Sequence, residues 1–267
     1  MGLLNCGDTR NYLKDYGYGT IALPRASIKP LLMLTRNDGR LTPIGPLTST
    51  FRPGVVPVPT PTRGISAPVS GSRSGGIDAK IGINILGTVI GALAGSALGI
   101  KAAYKDARKV EFEFGDVMED QVAIADLDQF LGTASVAGNA GPFLKQLLDA
   151  DEVYIIVATL DAKEISVAAT KDNSAGLELD VPVVQQLAGG NIAVSGTGAK
   201  SSTIVYKSKD TSLAFGVKVV RLDFDQGRYT TMKIVKAKEA HVAAALHNAD
   251  DDDGDPAVIV PDVPIDL

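Results

Sequence analysis

The sequence predicts an α+β protein organised around an antiparallel sheet, and three observations carry that prediction. Val110, Phe112 and Phe114 alternate with Glu111 and Glu113, the period-two pattern of a strand with one buried face. Beyond residue 150 a succession of segments rich in β-branched residues is separated by Gly, Asn or Asp at turn positions. Two segments of helical spacing, residues 122–131 and 142–149, interrupt the strands. With 267 residues and 45% hydrophobic content, the chain can bury one sizeable core and is read as a single body.

The opening segment is polar and basic, with two short apolar stretches at residues 19–23 and 31–34. Residues 1–6 are followed at once by Asp8, Arg10, Lys14 and Asp15, which leaves no apolar core for a secretory signal. Proline recurs from Pro53 to Pro68 and removes ladder donors, so an extended or loop region is expected there. Residues 71–76 are Ser/Gly-rich and read as a flexible hinge. The next stretch, residues 81–100, carries no charge, and its length of about 20 residues is that of a membrane-spanning helix. Within it Gly87, Gly91, Gly95 and Gly99 recur at every fourth position, a spacing that lets helices approach closely in lipid. Each glycine costs a helix about 0.8–1.0 kcal/mol relative to alanine, so this one is weakly committed. Two readings stand: a transmembrane helix, or a buried helix of a soluble body.

Strands are expected at residues 153–160, 164–170, 177–183, 192–195, 202–207, 214–224 and 229–235. Residues 237–248 are Ala-rich and read as a helix, and the acidic run 250–255 repels itself and reads as a solvated linker. The last segment, AVIVPDVPIDL, joins Val258, Ile259, Val260, Val263, Ile265 and Leu267 to two prolines that forbid a helix. It reads either as an extended peptide docked along a sheet edge or groove, or as a frayed terminus.

Charge is unevenly distributed. Residues 1–73 hold nine basic side chains against three acidic ones, and from Asp250 onward there are seven acidic and no basic residues. Removing those seven negative charges takes the net charge from -5 to +2, so a cut there would leave a cationic body. A diffuse cationic face suits anionic membrane lipid, where each Lys or Arg near the surface contributes about 1 kcal/mol. Nucleic acid is not expected as a partner, because the basic residues are scattered and few aromatics lie among them. Enzymatic chemistry finds no support: His241 and His247 lack the carboxylate neighbours that orient a base or ligand, and no phosphate-binding loop or calcium loop is present. No catalytic residue, metal ligand or bound cofactor is therefore expected. With one cysteine an internal disulfide is impossible, and a cytoplasmic location is the default. Cys6, behind Leu3 and Leu4, reads equally as a lipid attachment point or a free surface thiol.

With Cys6 near the start, GYGTIALPRASIKPLLML over residues 17–34, a hinge followed by IGINILGTVIGALAG, then AYKDARKVEFEFGDV and a short tail, the chain resembles a bacterial gasdermin. The resemblance runs through most of the chain and is strongest over residues 16–34 and 77–117. It implies a twisted antiparallel central sheet with surrounding helices, like a gasdermin N-terminal domain, and a short extended C-terminal inhibitory peptide. It further implies a pore-forming body over residues 1–246 and an acidic linker with autoinhibitory peptide over residues 247–267.

A partner protease would remove that peptide. The body, monomeric and cytoplasmic until then, would assemble on the inner membrane into a large homo-oligomeric ring and kill the cell, a defence attributed to the family against phage. Two regions of each subunit would refold into membrane hairpins: the first from about residues 77–114, the second from residues 153–206. The resemblance also implies palmitoyl on Cys6. The cut is expected between Ala245 and Gly254, with Leu246 the preferred position and Asp250, Asp251, Asp252 and Asp253 the alternatives for an aspartate-directed protease. Two competing readings are a membrane-anchored binding protein spanning the bilayer at residues 81–100, and a soluble β-rich binding domain with a disordered tail.

Overall fold

The computed structural model describes residues 17–37, 40–65, 73–78, 90, 99–138, 140–171, 175–188, 192–208 and 211–236. In chain order the strands are β1 (Gly19–Arg25), β2 (Leu32–Asn37), β3 (Arg40–Pro46), β4 (Phe51–Arg52), β5 (Thr62–Ile65), β6 (Arg73–Asp78), β7 (Lys109–Gly115), β8 (Met118–Gln121) and β9 (Ser135–Val136). They continue with β10 (Val153–Ala162), β11 (Glu164–Thr170), β12 (Leu179–Asp180), β13 (Ile192–Gly196), β14 (Lys200–Ser201), β15 (Thr203–Ser208), β16 (Leu213–Asp225) and β17 (Arg228–Ile234). Helices occupy Leu47–Thr50, Ile100–Ala103, Ile124–Thr133, Pro142–Asp149 and Val181–Ala188.

An eight-stranded sheet forms the body, with the path β1-β16-β10-β2-β3 and with β8 on β10, β5 on β8 and β17 on β16. Its pairs are antiparallel, and its centre is β10, VYIIVATLDA, every residue of which is buried. Successive side chains of a strand leave on opposite faces, so β10 feeds two cores at once. Val153, Ile155 and Val157 pack with Leu127, Phe130 and Leu131 of the Ile124–Thr133 helix and Leu147 and Leu148 of the Pro142–Asp149 helix. Tyr154 and Ile156 pack on the other face with Ile21, Ile28, Leu34, Leu41 and Val219. The first helix buries residues 127, 130 and 131, the i, i+3, i+4 stripe of an amphipathic helix. Pro142 opens the second, where its missing N–H has no intrahelical partner to lose. The β16–β17 hairpin turns on Gln226 (φ 49°) and Gly227 (φ 74°), two consecutive left-handed residues whose twist matches that of the flanking strands.

A second, five-stranded sheet has the order β13-β15-β11-β7-β6 and is likewise antiparallel. The antiparallel α+β architecture is thus as expected, and the strands at residues 153–160, 164–170, 192–195, 202–207, 214–224 and 229–235 are present to within two or three residues at their ends. Two expectations are corrected. The stretch 177–183 is not one strand: after β12 the chain becomes the Val181–Ala188 helix, because Val181, Val184 and Leu187 also fall on one helical stripe and find an apolar sheet face to cover. The hinge expected at 71–76 is in part strand, since β6 hydrogen-bonds along β7 from residue 73. The proline-rich stretch is irregular over residues 53–61 and then supplies the short edge strand β5.

Candidate functional site

The two sheets are joined strand by strand. In the body the lateral order β5-β8-β10-β16 recurs in the second sheet as β6-β7-β11-β15, each strand matched by its neighbour in the chain, and two of the four matches are direct crossings. β10 passes to β11 through Lys163 alone, and β7 to β8 through Asp116 (φ 52°) and Val117. These crossings lie side by side, with Asp161 opposite Met118 on the body side and Glu164 opposite Gly115 on the other. The second sheet is therefore a prolongation of the first, bent at one level.

Its faces are chemically different. Ile165 stands between Phe114 and Tyr206, and Ala169 opposite Val110, giving one apolar face. Ser166 stands between Glu113 and Val205, and Glu164 opposite Lys207, giving a largely polar one. Lys207 Nζ lies 2.8 Å from Glu164 and 3.8 Å from Asp116, and its hydrogen bond to Glu164 raises its pKa. Such alternation is what a strand needs when one face meets an apolar medium and the other meets water.

The apolar face is covered. Val181 and Val184 of the Val181–Ala188 helix, with Ile90, Ile100 and Tyr104, join Val110, Ile165, Val167, Ala169, Ile204 and Tyr206 in one buried cluster. Two contacts hold this cover. The Tyr104 and Tyr206 hydroxyls meet at 3.0 Å in the buried layer, and burial, the largest cause, raises the pKa of both, that of Tyr206 to about 12. Gly99 takes φ 85°, and a Cβ there would stand 2.4 Å from Leu187 Cδ2, so glycine alone allows the two covering segments to touch this closely.

At the bend, Arg63 of β5 clasps two acids. Its guanidinium donates to both oxygens of Asp161, at 2.7 and 3.1 Å, and to Asp120 at 2.7 Å. Asp161 is the last but one residue of β10, and its side chain is only 7% exposed, so the pair fixes the body strands just short of the crossing. Burial raises the pKa of Asp120, against the pull of Arg63. On the opposite face Phe114 stacks on Phe215 at 4.4 Å, one ring from each sheet. Nearby, Tyr18 donates to Glu119 and lies under the Lys218 ammonium, 4.2 Å from the ring centroid. Burial and this hydrogen bond push the Tyr18 pKa far up.

Of the residues singled out from sequence, Cys6, Leu246, Asp250, Asp251, Asp252, Asp253, Val258, Ile259, Val260, Val263, Ile265 and Leu267 lie outside the described residues, as do His241 and His247. The uncharged run 81–100 is described only at Ile90, Gly99 and Ile100, and both isoleucines are fully buried in the covering layer. No helix among the described residues is long and apolar enough to cross a membrane. The Arg63 clasp and the Tyr104–Tyr206 pair were not foreseen. Arg63 sits among prolines without periodicity, whereas Tyr206 shares its strand parity with Ile204 and was legible to that extent.

The profile of the Bacterial Gasdermin Family matches residues 21–228 of the chain. The chain is 39% identical over 238 residues to a gasdermin of a Desulfuromonadales bacterium, covering 87% of this chain and 88% of that protein. It is 36% identical over 247 residues to a gasdermin of Lysobacter enzymogenes, covering 91% and 90%. Among solved structures, a bacterial gasdermin from Bradyrhizobium tropiciagri aligns with a TM-score of 0.58 over 87% of this chain and 93% of that one, at 13% identity, a likeness of fold.

Proposed function

The chain belongs to the bacterial gasdermins, a pore-forming family and not one of enzymes, and from that premise we propose that it is an autoinhibited pore-former released by proteolytic loss of its C-terminal tail. One observation supports this reading above the rest: the lateral order of four body strands recurs in a second sheet with one apolar and one polar face, and β10 and β8 cross directly into it. If the cover leaves and the bend straightens, the same strands extend into a bilayer without changing neighbours. Backbone groups in lipid must all be paired, and a ring of subunits meets that condition by closing its sheets into a barrel.

The tail supplies the restraint in this account. Residues 247–267 hold the acidic linker and the apolar anchors Val258, Ile259, Val260, Val263, Ile265 and Leu267. A protease cutting after Leu246, or at Asp250 to Asp253, removes the anchors and the seven acidic charges together. The remaining body is cationic and drawn to anionic lipid of the inner membrane, with palmitoyl on Cys6 as a second attachment. Before the cut the protein is cytoplasmic and monomeric, and after it a large homo-oligomer whose pores kill the host cell, as a defence against phage requires. No bound cofactor takes part.

Inducible expression in bacteria tests this reading. Residues 1–246 should arrest growth within a generation or two, while the full chain is tolerated at the same protein level. Tolerance of both would remove the autoinhibited pore.

A further inference from the structure

Two basic side chains at the bend each meet two acids, and in both cases one acid comes from each direct crossing. On the body side Arg63 holds Asp120 of β8 and Asp161 of β10. On the far side Lys207 of β15 lies beside Asp116, on the link from β7 to β8, and Glu164, the first residue of β11. Asp161 alternates with Leu160 and Ala162, and Glu164 with Ile165, so both acids leave the face opposite the apolar one.

The two clasps are unequal. Asp161 is almost wholly buried and Arg63 meets both of its oxygens, whereas the side chains of Lys207, Glu164 and Asp116 are 54, 31 and 69% exposed. An ion pair in water contributes little, while a buried charge stripped of its partner is strongly destabilising. The hold is therefore firm on the body side of the crossings and loose beyond them.

The register shows what Arg63 reaches across. It stands opposite Asp120, which stands opposite Thr159, and Asp161 stands opposite Met118, nearer the crossing on both strands. The guanidinium thus spans β8 diagonally toward the bend and ties three strands at the level where two of them leave the body. β5 has no short link of its own to the second sheet: residues 66–72 separate it from β6, while Lys163 alone joins β10 to β11. Among the described residues β5 pairs only with β8, and Arg63 extends its hold to β10. Straightening at any level inside the body would pull Arg63 from Asp161 and strand a buried carboxylate. Straightening at the crossings leaves this clasp whole and disturbs only ion pairs that already meet water.

We propose that Arg63 is a positioning residue for the change of form. It stays bound to Asp161 and Asp120 throughout, holds the two direct crossings in step, and so makes the second sheet swing as one body about Lys163 and the Asp116–Val117 link. A clasp that had to break first would be a lock, and the two roles predict opposite effects of losing it.

The inference rests on the pore reading, and the test separates the two. A control chain carries Cys6→Ser and a protease site engineered after Leu246, and the test chain adds Met118→Cys with Asp161→Cys. Residues directly opposite in an antiparallel pair have Cα atoms about 4.5–5.5 Å apart, within reach of a disulfide. The double change removes the buried acid of the clasp, and oxidation replaces it with a covalent tie between the same two strands at the same level. Each chain is cut beside dye-loaded vesicles containing phosphatidylglycerol, with and without dithiothreitol, below the melting temperature of every form. The account predicts that the reduced test chain leaks severalfold more slowly than the control and that oxidation restores most of the rate. Arg63→Gln in the control chain should likewise slow leakage severalfold, with its binding to the vesicles unchanged. An oxidised chain that leaks no faster than the reduced one, or an Arg63→Gln chain that leaks as fast as the control or before the cut, would overturn the positioning role and leave the pore intact. No leakage from the cut control would overturn the pore reading and the inference with it.

Discussion

The Tyr104–Tyr206 pair joins the helical cover to the apolar face of the second sheet by a single hydrogen bond between buried hydroxyls. Tyr206→Phe leaves the Tyr104 hydroxyl buried and unpaired, a loss of about 1–3 kcal/mol, whereas the double change to phenylalanine removes both polar groups and costs less than the sum of the single changes. Urea denaturation of the three variants measures this directly. The same pair sets an alkaline limit. Because the folded pKa of Tyr206 lies above the ordinary tyrosine value of 10.0, its contribution to stability is complete below that value and is lost as pH rises toward about 12. The melting temperature should therefore fall over that window, and fall less in the double variant. Gly99→Ala places a Cβ residue at φ 85°, which costs about 1–2 kcal/mol before any displacement of Leu187. Its denaturation midpoint should drop, with the loss concentrated in the cover.

Among elements, the two sheets differ in how they are held. β10 is buried on both faces, while β11 alternates between buried and half-buried residues because its polar face looks outward. Segments with a core on one side open at lower free energy than those enclosed on two. Native-state hydrogen exchange should accordingly show the amides of β11 and β15 exchanging together, and earlier than those of β10 and β16. Equal protection in the two sheets would mean that they open as one unit, and the bend could not act as a hinge.

The principal strands of both sheets were the legible part of the fold, since β10, β11 and β16 are β-branched runs whose period or burial is visible in the residues themselves. The cover was not. Residues 177–183 satisfy a strand pattern and the start of a helix pattern at once, and packing against the apolar sheet face, a tertiary fact, decided for the helix. β6 was hidden for a different reason: a Ser/Gly-rich composition describes flexibility in isolation, and pairing to β7 overrides it. Of the candidate site, the period-two alternation of β7 and β11 was legible in the residues. Its bend, its clasp at Arg63 and its tyrosine pair depend on residues far apart in sequence, which only the folded chain brings together.

For the whole molecule the argument is one of stored structure. The two sheets share one lateral strand order, and on the reading advanced above the conversion to a membrane form would uncover and straighten the second sheet and leave the body sheet intact. What prevents it, on the reading advanced above, is the tail, and the central claim is that removing residues 247–267 turns a harmless chain into one that perforates lipid. The most direct test is release of dextrans of graded size from phosphatidylglycerol-containing vesicles by the full chain, before and after cutting at a site engineered behind Leu246. The account predicts no release before the cut and release of both small and large dextrans after it, weakening as salt screens the cationic body. Release by the uncut chain, or none from either, would contradict it.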